Sequence, residues 1–127
     1  MQLHSDKKRS NQRGFTLIEV IAVLVIIGVI GAVAAPKFLG LKTDAENKAA
    51  LQAVSEGRSR LTNQYAIKLM TSEAEANDLA AIVAAVNTDA GDYTLSFAVA
   101  GSEVEITATG VPERGISGTA KGKWKNR

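Results

Sequence analysis

The sequence of 127 residues contains no cysteine, a single histidine and two prolines. Without cysteine the chain can form no disulfide bond, thiolate metal site, iron–sulfur cluster or cysteine nucleophile. The histidine, His4, lies in a polar, basic segment, which argues against a histidine general base and against a metal site of several histidines. At this length the chain has room for one domain with appendages. These absences predict a protein that is not an enzyme and needs no metal or cofactor.

Positive charge is concentrated at the two ends of the chain. Residues 1–14 carry four basic side chains and one acidic one, whereas residues 15–127 carry 11 basic and 12 acidic side chains. A second basic stretch follows Glu113 and consists of Arg114, Lys121, Lys123, Lys125 and Arg127. Without its first 14 residues the protein is nearly neutral, so the sequence pI of about 9.0 does not by itself predict a nucleic-acid partner.

An apolar segment follows the basic start. Of residues 15–35 only Thr16 and Glu19 are polar. As a helix rising ~1.5 Å per residue this segment would be about 31 Å long, close to the ~30 Å hydrocarbon core of a bilayer. A basic segment before an apolar run favours a cytoplasmic N-terminus. The sequence therefore predicts a single membrane-spanning helix with the rest of the chain on the outer side.

Two other interpretations of this start remain open. Ala32-Val33-Ala34 has the small-x-small pattern that signal peptidase prefers, so cleavage after Ala34 would release a soluble exported domain. A plain signal anchor is the second alternative. Glu19 argues against the signal peptide, because an ionisable residue costs ~2.5 kcal/mol or more near the bilayer centre and less near its end, and an ordinary signal would gain by omitting it. An acid at this position either requires a partner or reaches the membrane interface from the first turn of the helix.

The residues around Glu19 carry a specific resemblance. The string Arg13-Gly14-Phe15-Thr16-Leu17-Ile18-Glu19-Val20, followed by the apolar run and Pro36, resembles the N-terminus of the type IV pilin and type II secretion pseudopilin superfamily. The resemblance implies that a prepilin peptidase cuts between Gly14 and Phe15 and N-methylates Phe15. Glu19 then becomes the fifth residue of the mature subunit, where the acid is thought to neutralise the N-terminal amine of a neighbouring subunit during assembly. The cysteine pair common near the C-terminus of type IV pilins is absent here.

Small residues within the apolar segment favour helix packing. Gly28 and Gly31 form small-xxx-small pairs with Ala32 and Ala35, which allow two helices to approach closely. Gly28, Gly31 and Pro36 also weaken the helix, since proline removes a backbone hydrogen bond and glycine costs ~1 kcal/mol relative to alanine. The resemblance implies that similar positions mark where the helix bends or melts in filaments. The alternative is that membrane helices simply tolerate Gly and Pro.

We predict three regions: a basic leader over residues 1–14, a transmembrane or filament-core helix over 15–36, and a globular head over 37–127. In the head, an amphipathic helix over 37–70 buries a stripe of five apolar residues, and a second helix over 72–86 begins at a capping box of Ser72 and Glu75. The first stripe consists of Leu51, Val54, Leu61, Tyr65 and Leu69, and the second of Leu79, Ile82, Val83 and Val86.

Alternating residues predict three antiparallel strands, at about 93–100, 103–109 and 117–125. Gly101-Ser102 suits a type II′ hairpin turn that sets Val99 opposite Val104, and the same register brings the apolar residues of both strands to one face. Glu103, Glu105, Thr107 and Thr109 would then face water, and the third strand would turn Ala120, Gly122 and Trp124 inward. The fold class is α+β: a long N-terminal helix packed on a small antiparallel sheet, with a second short helix.

Three groups of residues in the head are candidate sites. Lys121, Lys123 and Lys125 are interpreted as a solvated edge strand rather than a DNA-binding patch, and they equally suit pairing with Glu103 and Glu105. The oxygen-bearing residues of the Asn87–Asp92 loop are interpreted as turn residues rather than calcium ligands, although some pseudopilins hold calcium in a C-terminal loop. Trp124 and Tyr65 are expected to pack in the head.

The sequence and the resemblance together predict a structural subunit of a type IV pilus, for adhesion, motility or surface contact. A type II secretion pseudopilin that drives protein export is the main alternative, and a monomeric exported or membrane-anchored binding domain is a third. The expected partners are the prepilin peptidase, copies of this chain or related pilins, and an inner-membrane assembly platform. The expected location is the inner membrane, with the head in the periplasm, and then the pilus or pseudopilus.

Overall fold

The computed structural model describes residues 14–126. The predicted leader apart from Gly14, with His4, and the last residue, Arg127, lie outside this range. The chain divides into two compact units, one up to Lys37 and one from Phe38 onward. The helices are α1 (Leu17–Thr71), α2 (Glu73–Ala76) and α3 (Leu79–Ala84), and the strands are β1 (Asp89–Ala90), β2 (Tyr93–Ala100), β3 (Glu103–Gly110) and β4 (Thr119–Trp124), with a 3₁₀ helix at Pro112–Arg114.

The head is an antiparallel sheet packed on the second part of α1, as the α+β prediction requires. The strands lie in the order β1-β2-β3-β4, and each pairs with its neighbour in the antiparallel sense. Val99 lies opposite Val104, as predicted, and the rest of the β2–β3 register agrees. Gly101 has φ +64°, while no described non-glycine residue has a positive φ, which fits the type II′ turn.

The core forms where α1 approaches the sheet very closely. The face of α1 buried against the sheet presents mostly small residues, namely Ala50, Ala53, Val54, Gly57 and Leu61. A Cβ on Gly57 would lie 3.1 Å from the Ile106 side chain, and one on Gly122 would lie 2.5 Å from Val54. The predicted stripe is therefore partly wrong: Leu51 is 55% exposed and Leu69 45% exposed. These two leucines lie on the flanks of the buried face, where they do not meet the sheet.

The predicted single helix over 72–86 is wrong, because the chain breaks at Asn77 and Asp78. Asp78 is the N-cap of α3 and accepts a hydrogen bond from the Ala81 amide at 3.1 Å. An aspartate side chain competes in this way with the helical backbone, so it starts a new helix instead of continuing the old one. The Ser72 cap is confirmed, since its hydroxyl accepts from the Glu75 amide at 3.1 Å. The apolar residues of α3 do face the core, and Leu79 and Ile82 are buried.

The strands differ from prediction at their ends. β1 was predicted as part of a turn, yet it pairs with the first two residues of β2. It covers β2 no further than Leu95, whose amide donates to the Thr88 carbonyl at 2.7 Å. Val99 consequently stays 47% exposed although it points to the core side. β4 begins at Thr119 instead of 117, because the Ser117 amide donates to the Glu46 carboxylate at 3.2 Å.

Candidate processing and assembly site

The segment that carries the family resemblance leads directly into α1. Gly14, Phe15 and Thr16 precede the first helical residue, Leu17, and all three are exposed. Phe15 is 88% exposed. A Cβ on Gly14 would meet nothing within 4 Å, so the structure itself imposes no requirement for glycine there.

Glu19 and Thr16 form a reciprocal capping box at the start of α1. The Glu19 carboxylate accepts from the Thr16 amide at 3.3 Å, and the Thr16 hydroxyl accepts from the Glu19 amide at 3.3 Å. Two backbone donors that a helix start would leave unpaired are satisfied in this way. Sequence analysis missed this role of Thr16, although its spacing to Glu19 is the same as that of Ser72 to Glu75, where a capping box was predicted.

The surroundings of the Glu19 carboxylate are apolar. A shallow hollow on this face of the helix is lined by Phe15, Glu19, Val20, Val23 and Leu24. A carboxylate in such a setting gains most from a cationic or strongly donating partner, because water would solvate it poorly if the surface were covered. The carboxylate accepts one local hydrogen bond, from the neutral Thr16 amide, so its charge has no counter-ion among the described residues.

The rest of the apolar segment has no partner within the described chain. Its large apolar side chains are all exposed, from 44% at Val20 to 79% at Leu17. The helix is long and apolar enough to cross a membrane, and none of its most apolar stretch is buried. Gly28 and Gly31 have open space around them, and Pro36 lies within α1 without ending it. These three positions share the helix with Glu19 but are not part of its capping site.

In the head, a polar contact joins α1 to the segment before β4. The Glu46 carboxylate accepts from the amide and the hydroxyl of Ser117, at 3.2 and 2.9 Å. These hydrogen bonds from Ser117 favour the charged form and lower the pKa of Glu46 below its ordinary value. The Tyr93 hydroxyl donates to the Glu46 carbonyl at 2.6 Å, and burial raises the pKa of Tyr93. The cluster joins α1, the start of β2 and the segment before β4.

The lysines of the last strand pair with acids across the sheet. Lys121 lies 3.1 Å from Glu105, and Lys123 and Lys125 lie 3.3 and 2.9 Å from Glu103. Hydrogen bonds from Lys125 and Lys123 lower the pKa of Glu103. Glu103, Glu105 and Thr107, predicted to face water, are half-buried on the outer face. The three lysines thus form ion pairs with the neighbouring strand, in agreement with the interpretation that they pair with Glu103 and Glu105.

The Asn87–Asp92 loop uses its oxygens in turns, as predicted. The Asn87 side chain accepts from the Asp89 amide at 2.8 Å, and the Asp89 side chain accepts from the Gly91 amide at 2.9 Å. Asp92 pairs with Arg114 at 2.9 Å. Within residues 14–126 no three His, Cys, Asp or Glu side chains cluster as metal ligands. Trp124 and Tyr65 pack edge to face with ring centroids 6.0 Å apart, as expected.

The described chain combines an α+β head, an exposed apolar helix and a capped acid at the start of that helix. Comparison with known proteins gives the family to which this arrangement belongs. The family model described as the prokaryotic N-terminal methylation motif matches residues 9–35. The chain is 31% identical over 117 residues to a fimbrial protein of Neisseria meningitidis, covering 91% of this chain and 67% of that protein. No solved structure shows significant similarity to the chain.

Shorter similarities concern other members of the same superfamily. The chain is 44% identical over 55 residues to PilA5, the major component of the type IV narrow pilus of Thermus thermophilus, covering 43% of this chain and 44% of that protein. It is 42% identical over 43 residues to the type II secretion system core protein G of Escherichia coli, covering 34% of this chain and 30% of that protein. The chain belongs to the type IV pilin and type II secretion pseudopilin superfamily. Its relatives are structural proteins and not enzymes.

Proposed function

We propose that the chain is the precursor of a type IV pilus subunit. A prepilin peptidase removes residues 1–14 by cutting between Gly14 and Phe15, and Phe15 becomes the methylated N-terminus. The subunit resides in the inner membrane with its head in the periplasm. An assembly platform in the inner membrane then adds it to a filament of identical or related subunits. The observation that carries the proposal is the methylation motif at the start of an apolar helix whose side chains have no partner within the described chain.

Glu19 has a defined part in this proposal. Cleavage places a new α-amino group four residues before Glu19, and an amine from a neighbouring subunit supplies the counter-ion that the capping box does not. An unpaired charge in an apolar surrounding is costly, so the pairing of this acid with an amine favours one axial register between adjacent helices. Gly28 and Gly31 allow the close helix approach that such a filament core requires, and Pro36 and the two glycines supply the weak points where the helix can bend.

The extent of the similarities favours a pilus over a pseudopilus. The match to the fimbrial protein spans 117 of the 127 residues and therefore includes most of the head. The match to the E. coli core protein G spans 43 residues, fewer than the helix α1 alone. Pilins and pseudopilins both carry the N-terminal methylation motif, so similarity in the head is the more informative part. A pseudopilin of a type II secretion system is the second candidate, supported by the high identity of that shorter match.

The mature N-terminus and the cell fraction test the proposal together. Filaments would be sheared from the surface of the native host, and the intact mass and N-terminal sequence of the subunit would be measured. We expect a chain that starts at methylated Phe15 in the sheared fraction. A chain that starts at Ala35 would overturn the filament mechanism, and a methylated chain confined to the envelope would favour the pseudopilin.

Cleavage is tested by Gly14→Arg. Because a side chain at Gly14 meets nothing within 4 Å, this variant should fold normally yet resist the peptidase. Gly40→Arg is the matched control, since Gly40 is also surrounded by open space. We expect only the Gly14 variant to keep the full precursor mass; continued processing of that variant contradicts the prepilin mechanism.

The role of the Glu19 charge is tested by comparing Glu19→Gln with Glu19→Ala. Glutamine keeps an oxygen that can accept from the Thr16 amide but removes the charge, whereas alanine removes both. If the charge sets the register, both variants are processed and membrane-bound but form no filaments. Normal filaments from Glu19→Gln would show that the capping bond alone matters.

A further inference from the structure

Helix α1 begins at Leu17, shortly after the bond between Gly14 and Phe15. Among the described residues, its first backbone hydrogen bond runs from the Val20 amide to the Thr16 carbonyl, at 3.3 Å. Gly14 and Phe15 precede the helix and are exposed. Within residues 14–126 their carbonyls accept no backbone hydrogen bond. The Gly14 carbonyl, whose carbon is attacked when the Gly14–Phe15 bond is hydrolysed, therefore lies outside the helical hydrogen-bond pattern.

A slightly longer helix would take in this carbonyl. Each amide of an α-helix donates to the carbonyl four residues earlier, so the Glu19 amide would pair with Phe15, and the Ile18 amide with Gly14. Hydrolysis of a peptide bond develops negative charge on the carbonyl oxygen, and the donors of the enzyme have to reach that oxygen. A Gly14 oxygen that is enclosed in a helical turn and bonded to Ile18 is less accessible to those donors.

The Thr16 hydroxyl opposes this extension of the helix. It accepts from the Glu19 amide at 3.3 Å, and this amide is the donor that the Phe15 carbonyl would need in the longer helix. A residue at such an N-cap position has non-helical backbone angles, so the helix does not continue through Thr16 while the hydroxyl holds the amide. Glycine at position 14 acts in the same direction, because glycine is a poor helix former.

We infer that Thr16 is a positioning residue for leader removal: its hydroxyl holds the start of α1 at Leu17 and so presents the Gly14–Phe15 bond in a non-helical segment. The inference rests on the cleavage proposed above. In that step water adds to the carbonyl carbon of Gly14 and the bond to the Phe15 nitrogen breaks. Gly14 leaves with the leader as a carboxylate, and both protons of the water end on the Phe15 nitrogen, which becomes an α-ammonium group.

The Glu19 side chain is not needed for this role. The Thr16 hydroxyl bonds to the backbone amide of residue 19, which every substitution of Glu19 except proline retains. Thr16 therefore acts on cleavage, whereas the Glu19 charge acts on assembly.

The test removes the hydroxyl without changing the shape of the side chain. Thr16→Val keeps the branched shape and a similar helix propensity but has no acceptor oxygen. Thr43→Val is the matched control, because the Thr43 hydroxyl lies further along α1 and donates to the Leu39 carbonyl at 3.2 Å instead of capping an amide. The full precursors would be purified in detergent micelles and mixed with the prepilin peptidase of the native host. Initial rates of leader removal would be measured by mass spectrometry at several precursor concentrations.

We expect Thr16→Val to be cut about 2- to 30-fold more slowly than the wild type, the range that corresponds to the loss of a helix N-cap, and Thr43→Val at the wild-type rate. The change should appear in KM more than in kcat, because a smaller fraction of the precursor is competent to bind. Thr16→Ser and Thr16→Asn should restore the rate, since both residues are good N-caps. Asparagine differs from threonine in shape, so its rescue separates capping from direct recognition of the threonine side chain.

The Cα chemical shift of Phe15 gives a readout that requires no peptidase. The chain contains three phenylalanines, and the other two serve as references, because Phe38 lies in α1 and Phe97 in β2. In precursors labelled with ¹³C-phenylalanine in micelles, we expect the Phe15 signal to move towards the helical position in Thr16→Val. It should stay at the wild-type position in Thr16→Ser and Thr16→Asn.

The outcomes separate this inference from the proposed function. If the wild type is cut between Gly14 and Phe15 and Thr16→Val is cut equally fast, the role of Thr16 is overturned and the prepilin proposal stands. An unchanged Phe15 chemical shift in Thr16→Val, or rescue by serine without rescue by asparagine, would also overturn it. A wild-type precursor that is not cut at this bond would overturn the proposed function, and the role of Thr16 with it.

Discussion

The two parts of helix α1 treat their apolar side chains in opposite ways. Between Leu17 and Val33 the large apolar residues surround the helix and are all exposed. In the head, the same helix buries one narrow face, at Ala50, Val54 and Leu61, and its other faces mix polar residues with exposed apolar ones such as Leu51 and Met70. A helix that is apolar all round requires burial in a membrane or among other helices, whereas a one-sided helix is completed by its own domain. The comparison separates a region whose apolar face is buried within its own domain from a region whose apolar side chains are exposed.

The head and the apolar segment also differ in how their polar groups are hydrogen-bonded. In the head, none of the buried side-chain polar atoms of the described residues lacks a hydrogen-bond partner. In the apolar segment, Thr16 and Glu19 bond only to each other's backbone, and the Glu19 charge has no counter-ion there. The head thus satisfies its own buried polar atoms, whereas the apolar helix carries one charge without a counter-ion among the described residues.

The largest expected difference in stability is between a leucine substitution in the head and one in the apolar segment. Leu61→Ala removes a side chain that is 0% exposed, and Leu24→Ala one that is 62% exposed. We expect the first to lower the free energy of unfolding of the head by about 2–5 kcal/mol, because it leaves a cavity in a packed core. The second should leave that free energy unchanged. Denaturant titration of the full chain in detergent micelles, followed by Trp124 fluorescence, measures both; equal effects would remove the distinction.

Replacing a glycine by alanine should also have different effects at a packed position and at an open one. A Cβ on Gly118 would lie 2.5 Å from the backbone of Glu46, whereas one on Gly40 would meet nothing within 4 Å. Gly118→Ala should lower the free energy of unfolding by about 1–3 kcal/mol, because the contacted atoms are backbone and cannot swing aside. Gly40→Ala should be neutral or stabilising by up to ~1 kcal/mol in an exposed helix position. The same titration measures both; a neutral Gly118→Ala would show that the segment before β4 moves freely from α1.

The local features of the fold were predictable because they depend on neighbours in sequence. Alternation and Gly101 predicted the β2–β3 register, and the spacing of Ser72 to Glu75 predicted the cap of α2. The apolar helix and the candidate site at Gly14, Phe15 and Glu19 were also visible in the sequence, and the Thr16 partner of Glu19 would have been found by the same spacing rule.

The features that were missed depend on distances through space. Helical period alone placed Leu51 in the core, because the period does not show which part of the apolar surface of α1 meets the sheet. The break at Asp78 is a competition between a cap and a continuing helix, which local pattern left undecided. The contact between Glu46 and Ser117 joins residues 71 positions apart, and no periodic signal connects them.

Acid weakens one contact of the head without touching the apolar helix. Because hydrogen bonds from Ser117 lower the pKa of Glu46 in the folded state, its contribution to stability is present above the ordinary pKa of glutamate. It is lost as pH falls through the lower, folded-state pKa. Glu46→Gln should therefore lower the unfolding midpoint at neutral pH, with a gap to the wild type that closes in acid. A gap that stays constant with pH would contradict a role for the charge.

Ser117→Ala is the matched variant for this contact. It removes the hydroxyl donor and leaves the carboxylate in place. If the two side chains act through one interaction, Ser117→Ala in the Glu46→Gln background should cost less than Ser117→Ala alone. Strictly additive effects would show that Glu46 and Ser117 stabilise the head independently.

The smallest expected change in the free energy of unfolding comes from substitutions on the outer face of the sheet. Lys121→Ala removes an exposed ion pair with Glu105. The Lys121 side chain is 70% exposed and the Glu105 side chain is 40% exposed. Such pairs contribute at most about 1 kcal/mol and are screened by salt, with a Debye length of ~3 Å at 1 M. The double-mutant cycle of Lys121→Ala with Glu105→Ala should thus show a small coupling at low salt that disappears at 1 M. A coupling that survives high salt would mean that the outer face contributes to the head's stability through packing of the lysine stem, and not through charge alone.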